Sequence, residues 1–136
     1  MKGCRALLHT IDGFARYADG SVTPLPGSPF AAGGAGLGAG LASQGAIQAT
    51  ADGRYPLAVD AGSYQISVLR ITAGGVPVLA GTPVSSGGVK PVSIAVSRYG
   101  LVYVAISPKG ELTAAEHAAR FSPPTSWTVR YSPRLA

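Results

Sequence analysis

The fold of this chain is decided by a stretch of sequence that occurs twice. Residues 19–34 read DGSVTPLPGSPFAAGG, and residues 73–88 read AGGVPVLAGTPVSSGG. Aligned at an offset of 54 residues, the two stretches share seven residues, namely Gly20/Gly74, Val22/Val76, Leu25/Leu79, Gly27/Gly81, Pro29/Pro83, Gly33/Gly87 and Gly34/Gly88. Because Gly and Pro select particular turn shapes, shared turn residues predict two copies of one supersecondary unit.

Predicted strands flank a second repeated turn. Residues 47–53 match residues 94–100 at an offset of 47, since the first copy carries the longer glycine-rich loop. The apolar runs around these turns predict strands over residues 45–50, 54–60, 92–97 and 101–106. Asp52-Gly53 is a two-residue hairpin signal and predicts antiparallel pairing.

Two further strands complete the predicted unit. Residues 64–71 alternate apolar and polar side chains, and residues 12–17 are their upstream equivalent. Each unit then has four short antiparallel strands over about 46 to 54 residues, which is typical of a β-propeller blade. We therefore predict an all-β fold of four-stranded antiparallel propeller blades, too short to close a ring. An ordinary β-sandwich is the alternative.

A third copy begins but departs from the pattern. Residues 109–113 resemble residues 19–23, yet Gly110 follows Gly74 by 36 residues, 18 fewer than the repeat requires. The shortfall lies directly after residues 101–106, so we expect the second unit to lack its outer strand. Residues 114–120 have helical composition, and Thr113 with Glu116 could form a capping box, which predicts a short helix.

The predicted organisation has three parts. Residues 1–11 form an irregular N-terminus, residues 12–113 a partial propeller of about two blades, and residues 114–136 a divergent tail. In that tail the prolines predict irregular structure after the short helix. Residues 127–131 could supply one strand.

Composition excludes several classes of protein. Only 12% of the 136 residues are charged, while Gly (19) and Pro (11) are abundant, which excludes helical bundles and coiled coils. No apolar run is long enough for a membrane span, so no membrane partner is expected. The eleven basic residues are scattered from Lys2 to Arg134 and are not interleaved with aromatic residues, which argues against nucleic-acid binding despite the net charge of +5.

The N-terminal residues give the expected compartment. The apolar run from Ala6 to Leu8 is shorter than the core of a secretory signal, so we expect a cytoplasmic protein, although a truncated start would have lost any signal. The single cysteine, Cys4, excludes an internal disulfide, and no base is predicted beside it to make it a nucleophile.

The side chains suited to catalysis or metal binding do not form a complete site motif in the sequence. The only local cluster is Glu111, Glu116, His117 and Arg120, in which Glu116 and Arg120 would form a solvated pair on a helix. His9 is isolated, and two histidines without further cysteines give no metal-ligand spacing. Residues 33–40 fit neither phosphate-loop motif and predict a flexible inter-strand loop. We assign no catalytic residue, cofactor or metal.

With these residues in view, residues 12–105 resemble the bacterial β-propeller lactonase family of 6-phosphogluconolactonase-like and 3-carboxymuconate-cyclase-like proteins. The stretches that carry the resemblance are residues 19–30, 40–46, 52–55, 58–63 and 102–105. The family implies a seven-bladed propeller, of which about two blades are represented here. Pro56 and the Ile106-Ser107-Pro108 segment depart from its pattern.

The resemblance also implies a chemistry that this chain does not reproduce. Active members of the family act on lactones or their open acids with His, Glu and Arg side chains from several blades, and none of these maps to a position here. We expect a partial lactonase-family propeller without independent catalysis. Two alternatives are a lactone hydrolase or cyclase-like enzyme active only when copies self-associate into a ring, and a small β-rich binding module. A small-molecule lactone is expected as a ligand only if copies assemble into such a ring.

Overall fold

The computed structural model describes residues 8–41 and 43–106, together with the backbone of two later strands at 113–120 and 129–131. This part of the chain is all-β and contains no helix. The strands are β1 Leu8–Ile11, β2 Phe14–Arg16, β3 Val22–Pro24, β4 Phe30–Ala35, β5 Ile47–Ala49, β6 Pro56–Asp60, β7 Gln65–Ile71, β8 Pro77–Leu79, β9 Val84–Ser85, β10 Pro91–Val96, β11 Leu101–Ile106, β12 Thr113–Arg120 and β13 Val129–Tyr131.

Two antiparallel meanders form the larger sheets. One has the order β5-β6-β7-β8, and the other has the order β10-β11-β12-β13, so every strand pairs with its neighbours in sequence. The long strand β7 has three partners, because besides β6 it pairs with β9 at its first residues and with β8 at its last three. Within the described residues none of the sheets closes on itself.

The N-terminal strands repeat the pairing pattern around β7. β1 pairs with β4 and β2 pairs with β3, as the two halves of β7 pair with β9 and β8. The break between β1 and β2 falls at Asp12 and Gly13. The sequence repeat therefore corresponds to a repeat of strand pairing, with one long strand divided into two short ones.

The core lies between the two meanders. It consists of apolar side chains from β6, β7, β10 and β11, namely Leu57, Val59, Ile66, Val68, Ile94, Val102, Val104 and Ile106. In β11 only alternate residues are buried, as expected for a strand with one face in the core, whereas the last four residues of β6 are all buried. β6 and β7 are thus covered on both faces.

The strand predictions are confirmed with small changes at the ends. Four predicted ranges are slightly longer than the strands they contain, β2, β5, β6 and β7. The range predicted for β11 has the observed bounds, and β10 begins and ends one residue earlier than predicted. The antiparallel hairpin at Asp52-Gly53 is also confirmed, although its turn is longer than two residues and is closed by the Gly53 N–H donating to the Thr50 carbonyl. Pro56 is the first residue of β6, a position where a missing N–H donor is tolerated.

The predicted short C-terminal helix is wrong. Residues 113–120 form the eight-residue strand β12, which pairs antiparallel with β11 from Ile106↔Thr113 to Leu101↔Arg120. A strand edge exposes unpaired N–H and C=O groups, and pairing with it outweighs the weak helical propensity of an alanine-rich segment too short to be a stable helix alone. The helical spacing required for a Glu116–Arg120 pair is therefore absent.

Two related predictions are also wrong. The second unit does not lack its outer strand, because β12 lies beside β11 as β7 lies beside β6, and β13 completes the sheet. β13 confirms the strand predicted within residues 127–131. The N-terminus is not irregular up to residue 11, since pairing with β4 makes residues 8–11 the strand β1.

Candidate functional site

The site is built around a buried carboxylate at the end of β6. Asp60 is fully buried, and both of its carboxylate oxygens are hydrogen-bonded. Oδ1 lies 2.8 Å from Nδ1 of His9 on β1, and Oδ2 accepts a 2.6 Å hydrogen bond from the Ser67 hydroxyl on β7. One side chain therefore joins the N-terminal strand to the centre of the first meander.

Strand β4 packs directly against this carboxylate because it has a glycine, Gly34, at the point of contact. A Cβ placed on Gly34 would lie 2.5 Å from the Cβ and Oδ2 of Asp60, so only glycine fits at that position. Beside it, the Ser63 hydroxyl accepts from the Ala35 N–H, and the Gly62 N–H donates to the Ala35 carbonyl. Hydrogen bonds thus join the turn after β6 to the end of β4, next to Asp60.

Burial governs the acidity of Asp60. Removal from water raises the pKa of this carboxyl above 3.8, while the hydrogen bonds from Ser67 and His9 and the charge of the imidazole partly oppose the rise. When Asp60 is ionised it only accepts hydrogen bonds, so the imidazole must carry its proton on Nδ1. Its other nitrogen, Nε2, is then the one available to solvent or a ligand.

His9 also lines an open cleft of about 610 Å³. Leu8, His9 and Thr10 of β1 lie on one side, and residues 36–41, which connect β4 to β5, lie on the other. Ala46, Val59 and Ala61 complete an apolar wall. The cleft therefore combines an apolar interior with the imidazole that Asp60 orients.

A second cavity of about 250 Å³ lies between two hairpin turns. Asp52 lines it and is bonded within its own turn, since its carboxylate accepts from the Thr50 hydroxyl and the Arg54 N–H; these bonds lower the pKa of Asp52. On the opposite turn, the Arg98 guanidinium contacts the Tyr99 ring and hydroxyl. Each of these contacts lies within a single turn and stabilises it.

The structure can be compared with the predictions made for individual residues. The prediction that His9 is isolated is wrong, because 51 residues of intervening chain fold to bring Asp60 to it. Gly33 and Gly34 lie in β4, so the prediction of a flexible loop over residues 33–40 is wrong for its first residues. Glu116, His117 and Arg120 lie on β12, while Cys4 and Glu111 fall outside the described residues.

Asp60 was not predicted from the sequence as a site residue. The available signal was a carboxylate that directly follows the apolar run of β6, where a burial pattern predicts an apolar residue. Its partners could not be found by spacing, since neither His9 nor Ser67 belongs to a recognisable motif with it. Among the described residues, no group of three or more His, Cys, Asp and Glu side chains is placed to hold a metal ion.

Comparisons with known proteins give no family for this chain. No protein-family model matches it, and no match was found among curated proteins or solved structures. In the part of the chain that the structure describes, no helix has the length and apolar character needed to cross a membrane.

Proposed function

We propose that this chain is a partial β-propeller of the lactonase family that serves as a scaffold without independent catalysis. The observation that carries the proposal is the pair of sequential antiparallel meanders, β5-β6-β7-β8 and β10-β11-β12-β13, whose apolar side chains share one core. Neighbouring propeller blades pack in this way. The 54-residue sequence repeat and the matching strand pairing of the N-terminal strands support the same interpretation.

The contacts of the buried polar groups support a structural role for them. Asp60 uses both oxygens to hold His9 and Ser67, and Ser63 accepts from the backbone of β4. General acid–base catalysis needs groups that reach a reacting atom, whereas the Asp60 carboxylate is fully buried behind the imidazole. These bonds fasten the N-terminal strands to the first meander.

A lactone-opening assay tests the absence of catalysis. Purified chain is added to a sugar lactone, and proton release is followed against the spontaneous rate. We expect no acceleration, and none in a His9→Gln variant. Acceleration by the unmodified chain that the variant loses would contradict the proposal, whereas equal acceleration by both proteins would indicate a contaminating enzyme.

The propeller assignment has its own test in the flanking DNA. In-frame sequence carrying the same Gly and Pro turn residues at the same offset is expected on at least one side of the coding region. Flanking sequence without this repeat would contradict a partial seven-bladed propeller.

A second candidate function is assembly of several copies into a closed ring with a lactonase-like or cyclase-like site. Exposed apolar side chains on the N-terminal strands favour it, since Leu8, Phe14 and Val22 are 79%, 56% and 57% exposed. Pairing of open sheet edges would cover such strands. Size-exclusion chromatography with light scattering decides, because a monomer at all concentrations rules out the ring.

A further inference from the structure

We propose that the cleft between β1 and residues 36–41 binds a small molecule with an apolar body and one carboxylate group, and that His9 contacts the carboxylate. This inference goes beyond a scaffold role. It uses contacts within the described residues only and does not depend on the propeller assignment.

The imidazole is held in position for such a contact. Nδ1 is engaged by Asp60, and the side chain of His9 remains 28% exposed. A Cβ placed on Gly36 would lie 3.9 Å from Cβ and 4.0 Å from Cδ2 of His9, so the base of this side chain lies close to residue 36. Because Nδ1 is engaged by Asp60, Nε2 is the ring nitrogen left for a ligand in the cleft that His9 lines.

The opposite side of the cleft offers hydrogen-bond donors. Gly36, Gly38 and Gly40 contribute only backbone atoms to the lining. Within the described residues, the N–H groups of residues 37–40 donate to no protein acceptor. Gly38 has a φ of 69°, in the region that favours glycine, so the loop turns sharply here. Exposed backbone N–H groups are suited to a carboxylate, which only accepts hydrogen bonds.

The rest of the lining selects an apolar body. Leu37, Leu41 and Val59 line the cleft, and among the described residues that line it none is an Asp, Glu, Lys or Arg. Its volume of about 610 Å³ lies within the range of small-molecule sites. Among the described residues, a cation would meet no exposed carboxylate there, because Asp60 is fully buried.

Charge balance predicts that a proton is taken up on binding. When Asp60 is ionised, it and a neutral imidazole together carry one negative charge, which repels a carboxylate. Protonation of Nε2 cancels that charge and turns the nitrogen into a donor, giving a charge-assisted hydrogen bond. Asp60 is the titratable side chain that contacts His9, since β1, β4 and residues 36–41 contain no other titratable residue. Binding should therefore weaken as the pH rises.

The experiment uses phenylbutyrate as the carboxylate probe and phenylbutanol as its uncharged control. Amide chemical shifts and the His9 ring signals of the full chain are followed during titration at about pH 5.5 and about pH 8.5, on either side of the range in which histidines change charge. We expect shifts at residues 36–41 and His9, with affinity about tenfold lower at the higher pH and for phenylbutanol. Shifts confined to residues 50–55 and 96–100, which line the smaller cavity, would overturn the proposal.

The His9→Gln variant sharpens the result because it keeps a polar side chain but cannot take up a proton. We expect it to lose the pH dependence and to bind phenylbutyrate no more tightly than phenylbutanol. If unmodified protein binds both probes equally at both pH values, or binds neither at about 10 mM, the proposal is wrong. The titration of unmodified protein decides this even if the variant does not fold.

Discussion

The centre of the described region and its N-terminal strands are stabilised by different physical means. The central strands β6 and β7 contain runs of four consecutive buried residues and supply half of the core cluster. In β1 to β4, Ala32 is the one buried apolar residue, and large side chains such as Phe14 lie exposed. The centre is stabilised by apolar burial, whereas the N-terminal strands depend on pairing, glycine packing and the Asp60 carboxylate.

This contrast gives the buried carboxyl group of Asp60 a structural role. A strand pair with little apolar surface gains little from hydrophobic burial. Hydrogen bonds to a charged group are stronger than those between neutral groups, and Asp60 makes two of them to different strands. The carboxylate therefore supplies an attachment that the apolar residues of β1 cannot.

The largest expected effect tests the apolar half of the comparison. Ile66→Ala removes a side chain that is 4% exposed in the core, and should cost about 2–5 kcal/mol of unfolding free energy through lost burial and the cavity left behind. Urea denaturation followed by circular dichroism measures the change. Ile47→Ala is the matched control, since Ile47 is 45% exposed, and equal losses for the two variants would contradict the assigned core.

A smaller effect tests the glycine packing of the N-terminal half. Gly34→Ala places a Cβ against the Asp60 carboxyl and should cost about 1–3 kcal/mol, because overpacking forces neighbouring atoms to move. The matched control is Gly40→Ala, whose new Cβ would meet nothing within 4 Å. Amide hydrogen exchange should increase in β1 and β4 before β6 and β7. Unchanged protection in Gly34→Ala would show that β4 does not need this close approach.

The smallest expected effect concerns the pH dependence of stability. Since the folded protein raises the pKa of Asp60 above 3.8, the folded state holds this proton more tightly than the unfolded state. The resulting stability is fully present below the unfolded pKa and is lost as the pH rises through the folded pKa. Asp60→Asn cannot titrate and should therefore lose this component of the pH dependence.

Urea midpoints of Asp60→Asn and unmodified protein are compared at a series of pH values starting below 3.8. The difference between the two proteins should move in favour of Asp60→Asn as the pH increases. A difference that does not vary with pH, or that moves in favour of the unmodified protein, would mean that hydrogen bonds rather than burial dominate the acidity of Asp60.

Much of the fold was predictable from local sequence. The hairpin at Asp52-Gly53 and the strand at residues 101–106 follow from turn residues and alternating side chains, which act over a few positions. The helix prediction for residues 114–120 is wrong because a non-local contact decides the structure there. Its composition favours a helix locally, but the free edge of β11 is a property of the folded sheet that no local pattern reports.

By itself, the sequence determined the all-β character, the repeat and the positions of most strands, because turn chemistry and side-chain alternation are local properties. Tertiary structure alone decided that β12 extends the second meander and that His9 meets Asp60 across 51 residues. The cleft depends on the same long-range contact. Burial raises the pKa of Asp60 and fixes the imidazole only after distant strands pack together, so the chemistry of this site is a property of the fold.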